Sequence, residues 1–133
     1  MQTYTLPFAQ INILRDDVAE VIVNHGVEFD LELVRQYHEF LLSHLTAPFS
    51  LLINKINSYS YDFEAQQNIA TLPEINVMAV VTYNEITHVT TETLASYPRK
   101  IDWELSFFTD REAALAWLFS MQSACQEQDQ NHG

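Results

Sequence analysis

"FSLLINKINSYSYDFEAQQNIATLPEINVMAVVTY", residues 49–83, contains two apolar runs separated by a polar stretch. The first run, FSLLIN (49–54), has the length of a strand. The second, INVMAVVTY (75–83), is apolar at both alternating positions, as expected of a central strand that is covered on both faces. Between them, SYDFEAQQNIATL (60–72) predicts a short helix that ends before Pro73. A strand, a helix and a second strand in this order favour a parallel pair with a right-handed crossover.

The region before this unit predicts an antiparallel hairpin. Apolar and polar residues alternate in FAQINILRD (8–16) and again in VAEVIV (18–23), and a short acidic turn joins the two runs. The second run ends at Asn24-His25-Gly26, where Gly26 can adopt a positive φ.

Helix signals follow each of the later strands. Asp30 is a candidate N-cap, and an apolar stripe follows it, formed by Val34, Tyr37, His38, Leu41 and Leu45. Asn84 is a candidate cap for a helix that ends at Pro98. After a last strand, WELSFF (103–108), Thr109 and Glu112 predict a capping box. The stripe of this final helix contains Ala114, Trp117, Leu118 and Met121.

The predicted order is β-β-α-β-α-β-α-β-α, which indicates an α/β fold. We expect a single domain over residues 1–123, with a mixed sheet of about five strands and four helices. Residues 124–133 include QEQDQNHG, which has no apolar residue, and we expect a disordered polar tail there.

Composition excludes several classes of function. The net charge of −12 disfavours binding to nucleic acids and to anionic membrane surfaces. With two glycines, the chain has no glycine-rich phosphate-binding loop. The N-terminus lacks a signal-peptide pattern, the longest apolar run is far shorter than the ~20 residues of a membrane span, and Cys125 is the only cysteine. These features predict a cytoplasmic protein.

Over residues 8–123 the predicted order of elements resembles that of the STAS domain family, in particular a divergent bacterial branch of SpoIIAA-like domains. The ending FFTDREAALAWL (107–118) is similar to the F-T-D-x-x-x-A-x-x-W-L motif of that branch. The stretch LLINKINSYS (51–60) lies where those domains have a strand, a short loop and a helix that begins with a serine.

This resemblance implies a regulatory role through protein contacts, with a phosphoacceptor serine in the loop after the strand. Ser58 is the closest match to that serine, and Ser60 is the alternative. The chain departs from the family's D-S-[ST]-G pattern, since Asn57 replaces the acid and no glycine follows.

The same residues have simpler interpretations. Ser58 or Ser60 can cap the following helix, and we favour this role because Asp62 and Glu64 already bring negative charge to the first turn. Four aromatic residues lie near predicted element ends, where they either anchor a partner or pack in the core: Tyr59, Tyr61, Tyr97 and Trp103. A partner surface formed by Ser58, Tyr59, Ser60 and Tyr61 is the favoured functional prediction.

No residue set predicts an enzyme, a cofactor or a metal site. His38 and His44 are six residues apart, a separation that turns a helix by ~600° and puts them on different faces. His25 with Glu28 and Asp30 forms a polar group that we expect to be solvated. Cys125 has acidic neighbours, which disfavour a reactive thiolate.

The sequence therefore predicts a non-catalytic regulatory or protein-binding module. The alternative is a small-ligand carrier, for a nucleotide or a lipid, with an apolar cleft between the sheet and the helices. An exposed edge strand or an aromatic patch would allow a homodimer, but the sequence does not locate it.

Overall fold

The computed structural model describes residues 2–68, 72–83 and 104–131. These ranges contain eight strands and three helices. The strands are β1 Gln2–Thr5, β2 Ala9–Arg15, β3 Val18–Val23, β4 Glu28–Phe29, β5 Phe49–Lys55, β6 Ser60–Tyr61, β7 Ile75–Thr82 and β8 Glu104–Phe108. The helices are α1 Leu31–His44, α2 Phe63–Asn68 and α3 Arg111–Asn131.

Six strands form one mixed sheet in the order β1-β2-β3-β5-β7-β8. The pairs β1–β2 and β2–β3 are antiparallel, whereas β3, β5, β7 and β8 are parallel to one another. The α/β class and the mixed sheet are thus confirmed. The sheet has six strands rather than about five, because β1 adds an edge strand that the sequence pattern does not predict.

Helices cover both faces of this sheet. On one face, α1 and α2 contribute Val34, Tyr37, Leu41 and Ala65 to a large apolar core with the strands. On the other face, Ala114 and Leu118 of α3 form a smaller core with the strands. The strand β7 contributes alternate residues to both cores, with Met78 and Val80 on the α1 side and Val77, Ala79 and Val81 on the α3 side. The prediction of a central strand buried on both faces is confirmed.

The helix caps are partly as expected. Asp30 caps α1, and its carboxylate accepts a hydrogen bond from the Leu33 N–H at 2.8 Å. Gly26 has a φ of 81° in the turn after β3, as predicted. At α3 the cap is Asp110 rather than Thr109, since Asp110 Oδ1 accepts from the Glu112 N–H at 3.2 Å.

Two predictions concern the segment between β7 and β8 and the C-terminal residues after position 123. The helix expected between Asn84 and Pro98, and with it Tyr97 and Trp103, lies outside the described residues. The helix α3 continues to Asn131, past residue 123, where we expected the tail to begin. Glutamine, glutamate and alanine are good helix formers, which gives a physical reason for this extension. No helix within the described ranges is both long and apolar enough to cross a membrane.

Candidate functional site

The segment between β5 and α2 contains the predicted site residues, and its backbone is fixed to the turn after β3. Four hydrogen bonds join residues 57–62 to residues 23–29: Asn57 Nδ2 to the Val23 carbonyl (3.0 Å), the Gly26 N–H to the Ser58 carbonyl (2.7 Å), the Ser60 N–H to the Val27 carbonyl (2.9 Å) and the Asp62 N–H to the Phe29 carbonyl (2.8 Å). Two of these bonds belong to the small parallel sheet of β4 and β6. The predicted loop is therefore a short strand with a defined conformation.

Side chains of this segment alternate between solvent and core. The outward side chains are Ile56, Ser58 and Ser60, and the inward or half-buried ones are Asn57, Tyr59 and Tyr61. A period of two is typical of a strand, and the repeated serine-tyrosine pattern is the sequence signal that indicates it. The four predicted site residues are thus brought together in one segment, but they do not share a face.

Tyr59 and Tyr61 pack against the core. Their rings lie 6.1 Å and 5.4 Å from the ring of Phe29, and 5.6 Å from each other. The Lys55 ammonium lies 4.2 Å from the centre of the Tyr59 ring and 5.4 Å from that of Tyr61, as in a cation–π contact. Burial, together with the neighbouring Tyr61 phenol, raises the pKa of Tyr59 well above its ordinary value. Both tyrosines consequently support the segment from inside.

The outward side of this segment has large apolar side chains that are exposed to solvent. Phe63, the first residue of α2, is 74% exposed, and Ile56 is 61% exposed. We call the exposed side chains of Ile56, Ser58, Ser60 and Phe63 the 56–63 surface. Tyr83, the residue after β7, is also exposed (48%).

Acidic residues flank the 56–63 surface. Glu28 is exposed and pairs with Ser60 in the β4–β6 sheet, so the two side chains lie next to each other on the same side. Glu64 is exposed in the first turn of α2. The ammonium of Lys55 is turned toward the tyrosine rings. The surface therefore combines apolar side chains and hydroxyls with negative charge around them.

The N-cap of α2 is Asp62, which corrects the interpretation of Ser58 or Ser60 as the cap. The Asp62 carboxylate accepts a hydrogen bond from the Ala65 N–H at 2.8 Å, and its carbonyl accepts from the Gln66 N–H at 2.9 Å. Ser60 lies in β6 and Ser58 precedes it, so neither hydroxyl is placed at the start of the helix. The serines are left exposed on the 56–63 surface without a capping role.

A buried ion pair on the α3 side of the sheet was not predicted. Glu20 of β3 is 2% exposed, and its two carboxylate oxygens accept hydrogen bonds from Arg111 Nε (2.7 Å) and Nη2 (3.0 Å). Asn12 and Asn54 each donate a further bond at 3.0 Å. Burial by itself would raise the pKa of Glu20, but the hydrogen bonds from Arg111, Asn54 and Asn12 outweigh it and lower the pKa to about 2.

This pair holds α3 on the sheet and does not suit proton transfer, because a carboxyl with a pKa of about 2 stays ionised near neutral pH. The only sequence signals were a glutamate in an otherwise apolar strand and an arginine in the first turn of a helix. They are 91 residues apart, so their pairing depends on the topology.

A second polar cluster fixes the middle of α3. Gln122 is 1% exposed, and its amide donates to Asp17 (3.0 Å) and to the Pro48 carbonyl (2.6 Å). Its carbonyl accepts from Ser50 (2.6 Å) and Asn76 (3.2 Å). The amide is thus fully hydrogen-bonded, which favours a structural role.

Described residues line surface clefts, of which two are the following. One, of about 550 Å³, is lined by Arg15, Asp16, Asp17, Thr46, Ala47, Pro48 and Gln122. The other, of about 390 Å³, is lined by Leu31, Glu32, Val34, Arg35, His38 and Asn68.

Three of the five histidines, His25, His38 and His44, lie in the described part of the chain. In the part of the chain that the structure describes, no group of three or more histidine, cysteine, aspartate or glutamate side chains is arranged to hold a metal ion. The His44 ring stacks on Phe40 with 4.0 Å between ring centres, and burial lowers the pKa of His38. The side chain of Cys125 lies outside the described part.

Comparison with known proteins does not assign the chain to a family. No protein-family model matches the chain, and no curated protein sequence matches it. The fold and the site therefore define a class only at a coarse level, an α/β domain with a six-stranded mixed sheet.

Proposed function

We propose that the chain is a small non-catalytic regulatory module that binds a protein partner through the 56–63 surface. The observation that carries this proposal is the exposure of Ile56 (61%) and Phe63 (74%) on either side of the two outward serines. They are the two most exposed large apolar side chains among the described residues. Apolar side chains in such a position are typical of protein contact sites.

The rigidity of the segment supports the same role. Four hydrogen bonds fix residues 57–62 to residues 23–29, and the tyrosine rings pack beneath them on Phe29. Binding to a preorganised surface loses less conformational entropy than binding to a mobile loop. Because Glu28 and Glu64 flank the surface, we expect the partner to have basic side chains around an apolar centre.

The resemblance to STAS domains supports the location. In that family the region corresponding to LLINKINSYS includes the regulatory serine, and here the same region forms the 56–63 surface. The finer assignment of the fold, a SpoIIAA-like domain with strand β1 added, and a cytoplasmic location are parts of this proposal.

A phosphorylation switch at this surface would act on Ser58 rather than Ser60. A phosphate on Ser60 would lie beside the Glu28 carboxylate, its neighbour in the β4–β6 sheet, and would be repelled by it. Ser58 is also exposed, and its backbone pairs with Gly26, which has no side-chain charge. Phosphopeptide mapping of protein from the source cells tests this, and modification of Ser60 alone would contradict it.

Partner capture with matched variants tests the proposal. The variant Ile56→Ser/Phe63→Ser removes the apolar side chains of the surface, and Leu42→Ser, at a 47% exposed position on α1, is the control. We expect the wild-type protein and the control to retain the same partner from an extract of the source cells. The double variant should lose it by about tenfold or more, as is usual for contact anchors.

Two results would contradict the proposal. One is equal retention of every captured protein by the double variant and the control. The other is the absence of any specifically retained protein at low salt. Equal melting temperatures of the variants show that the comparison concerns binding and not folding. Native mass spectrometry of the isolated protein checks the carrier alternative, which predicts a bound small molecule.

A further inference from the structure

The strand β1 lies at the edge of the sheet, and three of its four residues are exposed. It is the first strand in the sheet order, and among the described residues its only strand partner is β2. Four residue pairs hold it there, and the Tyr4 ring packs 5.3 Å from the Phe40 ring and 4.7 Å from the His44 ring of α1. The strand is therefore well positioned, and no strand in the described part of the chain pairs with its outer side.

Charge distinguishes this edge from the rest of the molecule. The chain has 18 acidic and 6 basic residues, but the first charged residue is Arg15. Natural sheet edges are commonly protected by lysine, proline or a bulge. The strand β1 reads QTYT, has residues that favour strands and has a regular register with β2.

Self-association of a protein with a net charge of −12 is opposed by repulsion between the copies. This repulsion is smallest where a contact brings no acidic side chains together. Residues 2–15, which include β1 and its neighbour β2, contain no acidic residue. Depletion of charge is also the compositional feature that marks the centre of protein interfaces.

We propose that two copies of the chain associate by antiparallel pairing of β1 with β1 across a two-fold axis. Such a contact is self-complementary, so each copy supplies the donors and acceptors that the other lacks. Thr3 and Thr5 then face uncharged residues of the second strand, which favours cross-strand contacts. A four-residue edge buries less area than a standard interface, so the dimer forms in the micromolar to millimolar range. The contact is separate from the 56–63 surface and does not depend on the proposed function.

Sedimentation of the full chain from micromolar to millimolar concentrations tests the pairing. We expect a concentration-dependent dimer that strengthens as salt screens the net repulsion. The variant Gln2→Lys/Thr5→Lys changes two exposed positions of β1 and should be monomeric over the whole range. Its control, Ser43→Lys/Ser120→Lys, makes the same charge change at exposed positions of α1 and α3 and should dimerise like the wild-type protein.

Amide hydrogen exchange of the wild-type protein gives a second readout that needs no variant. Alternate amides of Gln2–Thr5 should exchange at least several-fold more slowly at the highest concentration than at the lowest. A wild-type monomer at every concentration and salt would overturn the proposal. So would a dimer that persists in Gln2→Lys/Thr5→Lys, or one that leaves the exchange of β1 amides unchanged and so uses another surface.

Discussion

At the scale of single residues, the pair of Glu20 and Arg111 is the most consequential contact. Glu20 is almost fully buried in the sheet, whereas the Arg111 side chain is 37% exposed. A buried carboxylate that loses its charged partner is strongly destabilising, because the desolvation cost remains while the compensating interaction is gone. The pair therefore determines how firmly the first turn of α3 is held on the sheet.

Replacing the arginine tests this role. We expect Arg111→Met to lower the free energy of unfolding by about 2–3 kcal/mol, which is below the ~3–5 kcal/mol of fully buried pairs because solvent screens part of the guanidinium. Arg35→Met is the matched control, because Arg35 is 54% exposed and pairs with Glu32 and Glu39 on the surface of α1. The control should cost less than about 1 kcal/mol. Urea unfolding measures both, and equal small losses would contradict the role.

The pH dependence of stability gives an independent test at the same residue. The pKa of Glu20 falls from 4.5 to about 2 on folding, so its ionised form is stabilised in the native state. This contribution is fully present above pH 4.5 and is lost as the pH falls toward 2. The free energy of unfolding should thus decrease more steeply with acid in the wild-type protein than in Glu20→Gln between pH 4.5 and pH 2. Parallel curves for the two proteins would show that Glu20 is not held ionised.

At the scale of elements, the short strand β6 and the helix α2 show why a serine-rich segment is not a cap. Asp62 makes the capping hydrogen bond, whereas Ser60 is used as a strand residue. The preceding tyrosines alternate inward, and this alternation places the serines outward. The segment 58–61 therefore has tyrosines on its inner side, which pack on the core, and serines on its outer side, which are exposed.

Substitution of the two candidate caps distinguishes them. Asp62→Ala should reduce the free energy of unfolding by about 1 kcal/mol, since it leaves the Ala65 N–H without its side-chain acceptor. Ser60→Ala should change it by less than about 0.5 kcal/mol, as is usual for exposed positions without a special contact. Thermal unfolding of both variants provides the comparison. A loss for Ser60→Ala as large as that for Asp62→Ala would restore the serine as the cap.

Most strands and helices could be predicted from the sequence, because their signals are short patterns of neighbouring residues. Apolar periodicity predicts the strands β2, β3, β5, β7 and β8 and the helices α1 and α3. The residue type predicts the cap at Asp30. The strand β1 was missed because QTYT has one half-buried side chain and no strong apolar alternation. The pair β4–β6 was missed because each strand has two residues and the partners are 32 positions apart.

The orientation of the side chains in the candidate site could not be predicted from the sequence. The sequence indicated residues 58–61 as a group, and the structure separates them into exposed serines and supporting tyrosines. Ile56 and Phe63 were not singled out, since exposure of an apolar residue depends on tertiary packing. The same holds for the contact between Glu20 and Arg111, which requires α3 to return across the sheet.

At the scale of the whole molecule, the acidic net charge affects the two proposed contact regions, the outer edge of β1 and the 56–63 surface, in different ways. A net charge of −12 opposes contact between copies of the chain, whereas residues 2–14, which include β1, have no charged side chain. The 56–63 surface differs, because Glu28 and Glu64 border its apolar side chains. A basic partner would be attracted to it, and a second acidic copy would be repelled.

Site-specific crosslinking in the source cells tests directly whether the 56–63 surface contacts a protein partner. A photoreactive phenylalanine analogue in place of Phe63 is compared with the same analogue in place of Leu42, which is also exposed but lies on α1. We expect a specific crosslinked product from position 63 that is absent from position 42. The same products from both positions, or a product from position 42 alone, would contradict it.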